Sequence, residues 1–231
     1  MSTSSQAAGP VLVVGASLAG ATVAGTLREL GVAEEITLLG DEDALPYERP
    51  ALSKAYLSGQ VSADALLVHP PSFYPDHCIT LRLGQSAVGL DVDRRLVLLG
   101  SGEQVPYGTL VIATGAGNIR PRIPGLDLAG VHQLRTRADA DRLAPALVRG
   151  RAAVVVGMGF IGCEVAATLA GLGLQVTAVD GGPGPLWAPL GAELSALARG
   201  WHEQHGVRVL TGQGVTRLVP DREGGPSRPS S

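Results

Sequence analysis

The sequence predicts an α/β fold of two lobes, each opened by a β-α-β unit. Three observations carry that prediction. Residues 11–14, Val-Leu-Val-Val, form a continuous apolar run ending in Gly15, the pattern of a strand buried on both faces. Behind it, residues 18–30 are rich in Ala and Leu and stop at Gly31, as a helix closed by a glycine does. The same order returns at residues 152–157, so that Gly157 lies 142 positions after Gly15 and the second half repeats the first.

The elements follow in order. Ile36-Thr37-Leu38-Leu39 is the second strand of the first unit, and its crossover through a helix makes it parallel to the first. Residues 45–50 read as a Pro-punctuated loop, 51–57 as a short helix, and 69–75 as loop with one helical turn. Short strands are expected at 80–83, 87–92 and 96–99, with Asp93-Arg94 as a hairpin turn. Leu110-Val111-Ile112-Ala113 is another apolar strand, ending at Thr114-Gly115. Three glycines and two prolines between 116 and 130 mark a linker. Residues 136–148 then read as a helix that Pro145 should kink or shorten. A buried strand at 152–156, a helix at 160–172 and a strand at 175–179 make the second β-α-β unit. A helix at 194–205, a strand at 207–210 and a weak strand at 214–218 complete the pattern. The expected plan is one lobe at 10–115, a linker at 116–130 and a second lobe at 131–218, between unstructured segments at 1–9 and 219–231.

Composition narrows the function. Apolar residues make up 45%, enough for a packed core. A net charge of −3 argues against a nucleic-acid or polybasic membrane surface. No apolar run approaches the ~20 residues of a membrane helix. The first ten residues are polar and uncharged, unlike a secretory signal, so the chain reads as soluble and cytoplasmic. Two cysteines, Cys78 and Cys163, make neither a zinc site nor a redox pair, and no metal-ligand spacing is seen around His69 or His77. One count is unusual: of 18 basic residues, Lys54 is the single lysine and the other 17 are arginine.

Both glycine loops carry chemistry. Gly157-Met158-Gly159-Phe160-Ile161-Gly162 is a complete GxGxxG between a strand and a helix, the dinucleotide-binding pattern. Asp180, 23 residues after Gly157, stands where a carboxylate accepts the adenosine ribose hydroxyls and repels a 2′-phosphate. The next basic residue is Arg199, so NADH is favoured over NADPH. Gly15-Ala16-Ser17-Leu18-Ala19-Gly20 is the variant GxSxxG, with Asp41 as its acid 26 residues after Gly15. Both units read as Rossmann-like, and two such units imply a flavin-plus-nicotinamide enzyme.

These loops, together with Leu45-Pro46-Tyr47-Glu48-Arg49-Pro50-Ala51-Leu52-Ser53-Lys54, Ala113-Thr114-Gly115 and Cys163-Glu164, closely resemble the FAD-dependent NADH:ferredoxin reductases. That family includes the putidaredoxin and rhodocoxin reductases, within the pyridine nucleotide-disulfide oxidoreductase superfamily of glutathione-reductase-like fold. The resemblance implies an FAD lobe first and an NAD lobe second. It implies that Gly15, Ser17, Leu18, Ala19 and Gly20 hold the FAD pyrophosphate, Asp41 its ribose, and Arg49 its phosphates. Ala113, Thr114 and Gly115 would close that site, and Gly157, Gly159, Phe160, Ile161, Gly162 and Asp180 would hold NAD. Lys54 would lie beside the flavin ring, paired with Glu164, where an ammonium stabilises the negative charge of the reduced ring. Hydride would pass from NADH to FAD, and single electrons to a 2Fe–2S ferredoxin serving a cytochrome P450 or a ring-hydroxylating oxygenase.

Against the family pattern the chain looks incomplete at its C-terminus, without the returning FAD segment and the final domain. An engineered fragment, a frameshifted product and a natural short form all account for that. The expectation is weak FAD retention, and the alternative functions are a catalytically impaired nucleotide-binding remnant or one half of a split reductase completed by a partner chain. Cys163 is expected to be a packed thiol.

Overall fold

The computed structural model describes residues 9–220. The unstructured segments expected at 1–9 and 219–231 therefore fall almost wholly outside the described residues. The described residues divide into two compact units, one formed by residues 9–48 and 63–116, the other by 49–62 and 117–220. Arg49–Ser62 thus clusters with the second unit, a departure from the expected continuous lobe at 10–115.

In the first unit, β1 (Val11–Val14) lies at the centre of a parallel sheet. Its neighbours are β2 (Ile36–Leu39) on one side and β7 (Thr109–Ile112) on the other, with β3 (Ile79–Arg82) outside β2. Val11 pairs with both Ile36 and Thr109, so the two crossovers share one register. Alternate side chains of β1 serve opposite faces. Val11 and Val13 pack with Ile36, Leu38 and the small residues Ala21 and Ala24 of α1 (Leu18–Glu29). Leu12 and Val14 pack with Leu39, Val97, Leu99 and Val105 on the other face. That second face is covered by an antiparallel sheet of β4 (Ala87–Asp91), β5 (Leu96–Leu99) and β6 (Gln104–Pro106). The strand β6 is too short to leave a pattern in the sequence. The expected Asp93-Arg94 turn forms, with the Arg94 amide donating to Asp91 Oδ1 at 2.9 Å. The expected helical turn within 69–75 is α2 (Phe73–Asp76).

In the second unit, α3 (Arg137–Arg149) leads into a parallel sheet ordered β10-β9-β8, from β8 (Ala152–Val156), β9 (Gln175–Asp180) and β10 (Arg208–Thr211). The crossovers are α4 (Phe160–Gly171) and α5 (Trp187–Gln204). Its core joins Met158, Ala166 and Leu169 to Val176, Ala178, Val207 and Val209, with Leu57 of the 49–62 segment among them.

One stop signal recurs. After α1, the amide of Gly31 donates to Arg28 O and that of Val32 to Leu27 O. The pairs Gly173/Leu174 after α4 and Gly206/Val207 after α5 repeat it. In each case the glycine has positive φ, 79°, 85° and 80° respectively, where a side chain would be strained.

Three expectations are corrected. Pro145 does not shorten α3, which runs on to Arg149. One missing amide bond is offset by a capping box at Thr136 and by Leu143 and Leu147 packing on the core. The helix expected at 51–57 is a 3-10 segment, Pro50–Ser53, followed by turns. No strand forms at 214–218. Instead the Leu218 amide donates to Pro124 O at 2.8 Å, beside Gly125. No helix of the described residues is long and apolar enough to cross a membrane.

Candidate functional site

In the first unit, the chain turns out of β1 at Gly15, whose φ of 116° suits glycine alone. A Cβ there would lie 2.1 Å from Ala113 O and 2.9 Å from the Thr114 amide nitrogen. A Cβ at Gly20 would lie 1.9 Å from Gly15 O, so the last glycine of the motif serves the close approach of α1 to the loop. The structure therefore brings Gly15–Gly20 against Ala113–Thr114. Gly40 abuts Ala16, and Asp41 follows it, exposed at the end of β2. Ser17 stands at the N-cap of α1 and makes no capping bond with its side chain. The amides of Leu18, Ala19 and Gly20 belong to the first helical turn, where no intrahelical carbonyl is in reach. A loop of this form with unengaged amides fits the pyrophosphate of a dinucleotide.

The second unit repeats the device. Gly157 has φ 93°, and a Cβ on Gly162 would lie 1.9 Å from Gly157 O. Around Gly157 and Gly159, by contrast, an added Cβ would meet nothing within 4 Å, so space for a ligand lies over the loop. Asp180, at the end of β9, turns back to this loop. Its Oδ2 accepts from the Met158 amide at 2.6 Å and its Oδ1 from the Gly182 amide at 2.7 Å. Phe160 and Ile161 are exposed at the start of α4. Beneath them Cys163 is buried and donates to Met158 O. Burial above all, then the charges of Asp180 and Glu164, pushes its thiol up to about 11. That is a packed thiol, as expected.

The single lysine meets its expected carboxylate. Lys54 Nζ lies 2.8 Å from Oε1 of Glu164, the fifth residue of α4. Two residues not singled out in the sequence complete the arrangement. Ser53 Oγ donates to Glu164 Oε2 at 2.5 Å, and Thr168 Oγ1 donates to the Ser53 carbonyl at 2.7 Å. Partial burial pushes the Glu164 carboxyl up, but the hydrogen bonds from Lys54 and Ser53 outweigh it and hold the group below the usual carboxylate range.

Arg49 belongs to the same unit, and its Nη1 donates to Arg135 O at 2.7 Å. Arg135 is held in turn by Asp139, which accepts from the Arg135 amide at 3.0 Å and closes the cap with Thr136. Arg49 and Arg135, with Ser53, Lys54 and Glu164, line a cleft of about 260 Å³ shared with Phe160 and Ile161. Ser53 precedes Lys54 in sequence, and Glu164 and Thr168 are four apart on one helix face; that spacing is the arrangement's trace in the sequence, and it is too common to single them out. The Thr136-x-x-Asp139 cap was open to the same reading.

Comparison with known proteins agrees with this architecture. The pyridine nucleotide-disulphide oxidoreductase family model matches residues 9–226. A probable ferredoxin reductase of Castellaniella defragrans is 43% identical over 211 residues, covering 90% of this chain and 51% of that protein. Rhodocoxin reductase of Rhodococcus erythropolis is 38% identical, covering 90% of this chain and 49% of that protein. Among solved structures, the ferredoxin reductase for the CYP199A2 system of Rhodopseudomonas palustris superposes with a TM-score of 0.88 at 34% identity. That match covers 94% of this chain and 56% of the other. The chain thus spans about half the length of the curated relatives it matches. With a family match over nearly its whole length and two glycine loops built alike, the chain belongs to the pyridine nucleotide-disulphide oxidoreductase family.

Proposed function

We propose that this chain carries the FAD- and NADH-binding lobes of a reductase that passes electrons from NADH to a 2Fe–2S ferredoxin. One observation carries the reading: the chain's single ammonium side chain is paired with Glu164 seven residues beyond the start of a complete dinucleotide loop. Relatives named as ferredoxin reductases support the same reaction class.

Gly15, Ser17, Leu18, Ala19 and Gly20 would cradle the FAD pyrophosphate, with Asp41 on the ribose and Ala113, Thr114 and Gly115 beside it. Gly157, Gly159, Phe160, Ile161 and Gly162 would receive the nicotinamide dinucleotide, with Asp180 on its adenosine ribose. Bound FAD would supply the exchange between a two-electron donor and a one-electron acceptor. The protein's part is positional and electrostatic. Arg49 offers a cation to phosphate, and Lys54 offers one where negative charge accumulates on reduction. Glu164 keeps that ammonium in place. Asp180 disfavours a 2′-phosphate, which selects NADH. The reading places the reaction in the cytoplasm, with the ferredoxin delivering electrons to a P450 or ring-hydroxylating oxygenase.

The test is acceptor reduction by the chain supplied with saturating FAD, using ferricyanide or a 2Fe–2S ferredoxin. NADH-dependent turnover, weaker with NADPH and lowered in Lys54→Met, supports the reading. Equal turnover with and without the protein refutes it and leaves a non-catalytic nucleotide-binding remnant or half of a split enzyme.

A further inference from the structure

We propose that Ser53 and Thr168 are positioning residues which, with Glu164, clamp the Ser53–Lys54 dipeptide onto α4 and set the place of the Lys54 ammonium. Glu164 and Thr168 stand four residues apart on α4, so both project from one face of the helix. They grip the dipeptide at three atoms. Glu164 Oε1 meets Lys54 Nζ at 2.8 Å, and Oε2 accepts Ser53 Oγ–H at 2.5 Å. Thr168 Oγ1 donates to the Ser53 carbonyl at 2.7 Å.

Each contact has a distinct effect. A glutamate facing lysine alone can rotate and swap oxygens. With Ser53 on the second oxygen the carboxylate plane is set, and only Oε1 is left for the ammonium. The Thr168 bond anchors the backbone from which both Ser53 and Lys54 project. Ser53 is 4% exposed, so its hydroxyl works in a site with little competing water. Lys54 is different: its side chain is 46% exposed and would otherwise sample many rotamers. Of the other cations lining this cleft, Arg49 is tied by its guanidinium to the Arg135 carbonyl. The value of the clamp to electron transfer rests on the flavin reading, but the clamp itself is testable without cofactor.

Because Lys54 is the single lysine of the chain, an amine-acylating reagent reports on it directly. The measurement is the rate of Lys54 acetylation by acetic anhydride at neutral pH in the cofactor-free chain. Peptide mapping separates it from the N-terminal amine, and circular dichroism checks that each variant is folded. Glu164→Gln should accelerate labelling most. Ser53→Ala should accelerate it about fivefold, the scale of one ordinary hydrogen bond lost. Ser53→Thr, which retains the hydroxyl, should return the rate to the wild-type value. Thr168→Val keeps the side-chain shape and should act in the same direction as Ser53→Ala; it decides the matter if Ser53→Ala fails to fold. Wild-type rates in both Ser53→Ala and Thr168→Val, with a faster rate in Glu164→Gln, would overturn the clamp and leave the ion pair. A wild-type rate in Glu164→Gln would remove the pair, and the reading of Lys54 with it.

Discussion

Asp180 accepts a hydrogen bond from the Met158 amide at 2.6 Å, joining the end of β9 to the middle of the glycine loop after β8. The carboxylate that would receive a ribose therefore also holds the loop that would receive the pyrophosphate. Asp180→Ala should leave the Met158 and Gly182 amides without this acceptor and cost about 1–2 kcal/mol. Thermal denaturation measures that loss. Titration with NADH and NADPH should also show weaker NADH binding and reduced discrimination between the two. Asp180→Asn, with one carbonyl acceptor, should fall between.

Two glycines of one motif should respond oppositely to the same substitution. Gly162→Ala places a methyl 1.9 Å from Gly157 O and should destabilise by about 2 kcal/mol or more through overpacking. Gly159→Ala meets nothing within 4 Å and has ordinary φ of −73°, so it should fold within about 1 kcal/mol of wild type. Its methyl would stand where a pyrophosphate approaches the backbone. NADH affinity should fall in Gly159→Ala while its melting temperature holds, which calorimetry and ligand titration together can establish.

Acid should act through two carboxyls. Glu164 is held below its usual range by Lys54 and Ser53, against the effect of burial. Asp139 is likewise held low, its burial outweighed by hydrogen bonds from Thr136, then Arg135 and Arg142. A group depressed in the folded chain contributes stability above its unfolded value, about 4, and loses it as pH falls through the folded value. Stability should therefore fall with pH below about 4. Glu164→Gln and Asp139→Asn should each flatten that slope in urea unfolding curves recorded across the acid range.

The cysteines should separate by reactivity. Cys78 is exposed, whereas Cys163 is buried with its thiol pushed up to about 11. A disulfide-exchange reagent at mildly alkaline pH should label Cys78 in the native chain and reach Cys163 only after unfolding. Rapid native labelling of both would contradict the packing of α4 on its sheet.

Much of this could be read from residue patterns because the parallel strands are apolar runs with little alternation. Val11–Val14 and Ala152–Val156 are such runs cut off by glycine, and the helices behind them close on Gly31 and Gly173. The first is buried throughout as expected, whereas the second, expected to be buried, exposes Val154 and Val156. The failures have physical causes. The segment 214–218 has a strand's composition, but its Leu218 amide pairs with Pro124 O, a long-range choice with no local signature. Pro145 carries a strong helix-breaking tendency, overruled by the cap at Thr136 and the packing of Leu143 and Leu147. The Lys54–Glu164 pair follows from family resemblance, whereas Ser53 and Thr168 do not. A serine beside a lysine and a threonine in a helix are too common to stand out before the fold sets them 2.5 Å and 2.7 Å from their partners.

The central claim is that this chain carries the cofactor lobes of a reductase that draws electrons from NADH through FAD. Its most direct test is the anaerobic visible spectrum of the chain with saturating FAD, before and after addition of NADH. The account predicts bleaching of the flavin band by NADH, faster than for free FAD and slowed in Lys54→Met. A flavin spectrum identical to that of free FAD, unchanged in its rate of bleaching by the protein, would contradict it.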